Sequence, residues 1–110
     1  MSPETNTVLT QRADLSIEQC SCCDTISLFY QNLLLKFSPK SFLKFSSSFR
    51  ELDFHKRALI FADGKEKLVV NTNQKEIQLC FEKEEFEMVC HALKEAAVML
   101  EIKDILNTES

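Results

Sequence analysis

The chain has 110 residues, 45% of them apolar and 27% charged, and a net charge of −4. These proportions are ordinary for a globular protein with one core and leave too little chain for two. No apolar run nears the ~20 residues that a membrane-spanning helix needs, and a single glycine excludes a Gly-rich phosphate loop.

Residues 1–12 are polar, include Pro3 and show no periodicity, which predicts a disordered tail before a single α+β domain over 13–110. Leu15 and Ile17 alternate with polar neighbours and begin a strand. After the cluster Cys20-Ser21-Cys22-Cys23-Asp24, a second strand carries Ile26, Leu28 and Tyr30 on one face. Gln31-Asn32 makes a two-residue connection in which Asn32 tolerates positive φ, and Leu33, Leu35 and Phe37 mark the next buried strand face.

Ser38-Pro39 reads as the N-cap and first position of a helix, because a serine oxygen accepts an orphan backbone N–H and proline has no N–H to lose. Within it Phe42, Phe45, Phe49 and Leu52 form one apolar stripe, with the end expected near Asp53. Phe54 to Lys56 connect to a strand over 57–62. Asp63-Gly64 then predicts a type I′ hairpin turn, which requires positive φ at both central residues, and a strand over 67–71 leaves it. A last strand, Ile77 to Phe81, runs into a helix patterned by Phe86, Val89, Cys90, Leu93, Ala96, Ala97 and Leu100, with Glu82, Glu84 and Glu85 at the positive end of its dipole.

The stretch Asn32–Phe42 and the stretch Glu76–Phe86 share one pattern, alternating apolar residues followed by a helical period. A fixed offset of this kind points to two copies of one supersecondary unit, here residues 13–53 and 57–102. The expected architecture is therefore an antiparallel sheet of five or six strands with two helices on one face, built as a duplicated (β)ββα unit. Basic residues outnumber acidic ones over 36–57 and the reverse holds over 82–104, so one helix is basic and its counterpart acidic.

Five cysteines without an export signal point to a cytosolic chain with reduced thiols or metal ligands, and an odd number cannot pair completely within one chain. Cys20-x-x-Cys23 has the spacing of a zinc knuckle placed where the repeat puts a hairpin turn. No second such pair exists to complete four ligands. Cys22 is a difficult third ligand from so short a loop, which leaves His55 as the distant candidate. A thioredoxin-like redox pair would sit at a helix N-terminus, and this pair precedes a strand. The glutamates of 82–87 are helix-start acids, His91 falls opposite the apolar stripe, and no Ser-His-Asp motif is present, so the expectation is a non-enzymatic chain.

Several segments carry a resemblance: Cys20-x-x-Cys23, Leu28-Phe29-Tyr30-Gln31-Asn32-Leu33, Ser38-x-x-x-Phe42-x-x-Phe45, and Arg57-x-x-Ile60-Phe61-x-Asp63-Gly64-Lys65-x-x-Leu68-Val69-Val70-Asn71-Thr72. Together they resemble a family of small bacterial proteins of unknown function. Tyr30-Gln31-Asn32 departs from the Phe-Gly-Asn form of that family, and the resemblance implies no activity, cofactor or partner.

The leading expectation is a protein-interaction or self-associating module, because Phe29, Leu34 and Cys80, with apolar residues from Leu59 to Val70, would project from the sheet face that the helices leave uncovered. The alternative is a zinc-binding module on Cys20, Cys23 and His55. A third is a single-stranded nucleic-acid binder on the basic first helix, against which stand the acidic total and the lack of aromatics interleaved with Lys or Arg.

Overall fold

The computed structural model describes residues 6–72 and 74–108. The elements run β1 (Asn6–Arg12), β2 (Leu15–Cys20), β3 (Ile26–Tyr30), β4 (Leu33–Phe37), α1 (Pro39–Arg50), α2 (Phe54–Arg57), β5 (Ala58–Ile60), β6 (Glu66–Asn71), β7 (Gln78–Phe81) and α3 (Lys83–Thr108). The fold is α+β with two antiparallel sheets, β1-β2-β3-β4 and β5-β6-β7. This corrects the single sheet of five or six strands with two helices. β4 is the edge of the first sheet and no ladder joins it to the second; side chains bridge the sheets instead. The Tyr30 ring lies 6.2 Å from that of Phe81, and Phe49 of α1 meets Phe81 at 5.4 Å and Phe86 at 5.1 Å. Aromatic rings reach across a gap that backbone hydrogen bonds do not, and such pairs add to the burial of their surfaces.

Strand β1 corrects the expected disordered tail. Asn6 to Arg12 pair with β2 around an irregularity between Val8 and Thr10, which turns both Leu9 and Thr10 inward. Residues 1–5 of that tail lie outside the described residues. β1 is held from the far end of the chain: Glu95 of α3 accepts from the Thr10 hydroxyl and pairs with Arg12 at 2.9 Å. No sequence pattern within the first dozen residues announces a partner so distant.

The turns follow backbone chemistry. Positive φ falls on Gln31 (φ 57) rather than on Asn32, which is where a type II′ turn needs it, and the Gln31 N–H donates to the Asp14 carbonyl. At the second hairpin only Gly64 (φ 82) is left-handed. Its N–H donates to the Phe61 carbonyl while the Phe61 N–H donates to Lys65, giving a three-residue loop with a glycine bulge rather than the predicted type I′ turn.

Helix α1 begins as expected, with the Ser38 side chain accepting from the Ser41 N–H at 3.1 Å and Pro39 in the first turn. It stops at Arg50, and the segment expected as a loop forms the short α2, started by Asp53 accepting from the N–H groups of His55 and Lys56. Phe42 and Phe49 are buried, with Phe45 and Leu52 packed against them. α3 runs to Thr108, past residue 102, the expected end of the second repeat unit. It packs against α1, against β1 and β2 of the first sheet, and against β6 and β7 of the second, so it forms the floor of both sheets. Each half reads three strands and then a helix, β2-β3-β4-α1 and β5-β6-β7-α3, with α2 between the halves and β1 added at the front. No helix among the described residues is long and apolar enough to cross a membrane.

Candidate metal centre

The connection from β2 to β3 carries three thiols. Gln19 and Ile26 are the last register partners of the two strands, and the loop between them is closed at its base, where the Cys20 N–H donates to the Thr25 carbonyl and the Asp24 N–H to the Cys20 carbonyl, both at 2.9 Å. The chain reverses at Asp24, in the left-handed region at φ 60, which short polar side chains tolerate better than most. The tightness of this loop brings the Sγ atoms of Cys20, Cys22 and Cys23 all within 4.8 Å of one another. Cys20 and Cys22 are 3.1 Å apart, and Cys23 donates to the Thr25 hydroxyl at 3.3 Å.

Beneath the loop, Gln19 is buried, donates to the Asp24 carbonyl and accepts from Lys103 Nζ of α3 at 2.9 Å. The cysteine corner is thereby tied to the last turns of the long helix, with a cleft of about 180 Å³ between them, bounded by Gln19, Asp24, Pro39, Leu100 and Lys103. The strands supply a fixed base, while Cys22 and Cys23 remain exposed and Cys20 half-buried.

Electrostatically the three thiols act as a set. Hydrogen bonds from Cys22 and Cys23, from their side chains first and their backbone next, bring the Cys20 thiol down to about 7, and Cys22, donating to a sulfur that carries charge, is pushed up. Near neutrality the Cys20 thiol is therefore partly ionised. A cation placed among the sulfurs reverses the penalty on further ionisation, since metal coordination deprotonates thiols outright. Tetrahedral zinc with Zn–S of ~2.3 Å sets its sulfurs ~3.8 Å apart, and here Cys20 and Cys22 are 3.1 Å apart with all three sulfurs within 4.8 Å of one another.

Of the predicted metal ligands, Cys20 and Cys23 are brought together and His55 is not. His55 stands at the start of α2 with its ring against Phe54, and the third sulfur beside Cys20 and Cys23 is that of Cys22, the short loop notwithstanding. The signal that would have found it is the compact Cys-x-Cys-Cys run next to a residue suited to left-handed backbone. Among the described residues no further Cys, His, Asp or Glu donor joins the three within the same radius.

The expected interaction face is divided. Phe29 and Leu34 face each other across β3 and β4, 40% and 47% exposed, but their neighbours on that face are Ser16, Ser27 and Lys36. Cys80 is exposed on β7, opposite Val69, in the other sheet. Cys90 is half-buried on α3, and burial pushes its thiol up.

Comparison with protein families matches residues 1–109 to a family of unknown function, DUF6686. The chain belongs to that family. The expectation of a family without an assigned activity thus holds over nearly the whole sequence. No curated protein and no solved structure gave a match to this DUF6686 chain, so its chemistry rests on its own residues.

Proposed function

We propose that the chain is a non-enzymatic, thiolate-based metal-binding module whose working part is the corner Cys20, Cys22 and Cys23. The observation that supports this reading is the convergence of the three Sγ atoms within 4.8 Å on a loop with a rigid base. Soft thiolates favour d¹⁰ ions such as zinc over calcium or magnesium, which take oxygen ligands. Cobalt(II) serves as a spectroscopic stand-in for zinc: titration of reduced protein should give sulfur-to-cobalt charge-transfer absorption saturating at one equivalent and reversed by zinc. Absence of that absorption, with the thiols shown to be reduced, contradicts the reading.

A second reading keeps the interaction module, with its weight moved from the sheet face to the end of α3. Val98, Met99, Ile102 and Leu106 are all exposed there, at spacings that place them on adjoining turns, and the Phe29–Leu34 pair offers a smaller patch. A second copy of the chain or a protein partner is the expected occupant. Light scattering at rising concentration tests self-association: a mass of two chains that reverts to one in Val98→Glu/Ile102→Glu supports it, and one chain throughout contradicts it. The accompanying account of the fold is tandem duplication of a strand-strand-strand-helix unit. Superposing β2-β3-β4-α1 on β5-β6-β7-α3 tests it, and failure of the helices to coincide when the strands are aligned contradicts it.

A further inference from the structure

The three-cysteine corner differs from a structural zinc site in a way that bears on which ion it takes. A structural zinc is closed by four protein ligands in a tetrahedron. Here all three donors are sulfur, all come from one short loop, and no fourth Cys, His, Asp or Glu donor joins them among the described residues. His55 is on α2 and Cys80 on β7, in the second sheet rather than on the β2–β3 loop, and Cys90 is half-buried on α3. Cys22 and Cys23 are exposed, so two of the three donors are open to water.

Ligand softness and ligand number then point the same way. Monovalent copper is a soft d¹⁰ ion that thiolates select, and it is satisfied by two or three of them without a fourth donor. Zinc in the same corner would have to complete its tetrahedron with water or an exogenous group. It would forfeit one of four protein bonds, where copper forfeits none. Resting on the metal-binding reading above, the geometry points to monovalent copper, held three-coordinate by Cys20, Cys22 and Cys23, as the ion to which this corner is fitted.

Because thiolates bind monovalent copper tightly almost anywhere, simple competition between the two ions does not discriminate. Adding the missing ligand does. Thr25 is beside the cluster, its hydroxyl accepting from Cys23 at 3.3 Å, so Thr25→Cys supplies a fourth thiol at the corner. Affinities of wild type and Thr25→Cys are measured anaerobically with reduced protein, against a chromophoric chelator for each ion, and the copper complex is examined by X-ray absorption. The expected result is a zinc affinity at least a hundredfold higher in Thr25→Cys, a copper affinity changed by less than fivefold, and three sulfurs around one copper per chain in wild type. Cys22→Ser, which removes an exposed side chain and should leave the circular dichroism unchanged, is expected to lower copper affinity at least tenfold. Equal gains for both ions in Thr25→Cys, or two chains per copper, overturn the assignment to three-coordinate copper while leaving a metal site. Binding of neither ion overturns the metal-binding reading itself.

Discussion

The Tyr30 hydroxyl donates to Glu85 Oε2 at 2.6 Å, and the other oxygen of the same carboxylate accepts the Glu82 N–H at 2.9 Å. One side chain thus closes the start of α3 and ties it to the end of β3, coupling the first sheet to the helix that floors both. The glutamates of this turn do more than favour the helix dipole, since Glu85 is a structural tie.

Tyr30→Phe tests that tie. A hydrogen bond to a carboxylate is worth about 1.5–3 kcal/mol, and the partly exposed site argues for the lower end. Burial and the Glu85 carboxylate raise the Tyr30 phenol above its usual range. A folded-state value above the unfolded one makes the contribution complete below about pH 10 and progressively lost as pH climbs through the raised value. Urea denaturation from pH 8 to pH 11 should show wild type losing stability more steeply than Tyr30→Phe. Identical slopes contradict the tie.

The attachment of β1 has the opposite pH signature. The Thr10 hydroxyl first, and then Arg12, hold the Glu95 carboxyl below its usual range. The stability this brings is present above the ordinary glutamate value and lost as pH falls through the lower folded value. Acid titration of the denaturation midpoint should therefore be shallower in Glu95→Gln than in wild type between about pH 5 and pH 3. The pair is solvent-exposed, so 1 M salt should narrow the difference.

Deleting residues 1–12 should destabilise the protein rather than trim it. Burying a leucine side chain contributes about 1.5–3 kcal/mol, and Leu9 is 5% exposed against the core. With about 4–8 °C of midpoint per kcal/mol for a domain of this size, the expected fall is at least ~6 °C by thermal denaturation. An unchanged midpoint would mean that β1 is ornamental.

Between α1 and α3 sits Ser46, fully buried, donating to the Leu93 carbonyl at 3.4 Å and accepting from Arg50 Nε at 3.2 Å. Ala92 and Ala96, on either side of Leu93 in α3, are also fully buried. Ser46→Leu should overpack this crossing and cost about 1–3 kcal/mol, read as a lowered urea midpoint with little change in slope. A neutral result would show that the helices have room to move apart.

What the sequence made legible was local. The alternation in Ile26–Phe37, the Ser38 cap and the stripe through Phe86 and Leu100 depend on near neighbours, and the strands and helices stand where those patterns put them. What it hid was long-range or conformational. β1 is secured by Glu95, more than eighty positions away, and Ala13, a residue with no turn preference, takes the positive φ (47) of the hairpin that follows. Two sheets replaced one because packed side chains such as Tyr30 and Phe81, rather than ladder hydrogen bonds, join them, and periodicity carries no trace of which edges pair. At the cysteine corner, spacing alone favours Cys20 with Cys23; the loop closure that sets Cys22 beside Cys20 comes with backbone bonds at Thr25 and Asp24.

The central claim, a metal centre on Cys20, Cys22 and Cys23, is tested most directly by native mass spectrometry of protein purified under reducing conditions without chelator. The account predicts one metal ion per chain in wild type and none in Cys20→Ser/Cys23→Ser, with both proteins folded because the corner lies outside the core. Wild-type protein with fully reduced thiols and no metal, or a double variant that retains its ion, would contradict it.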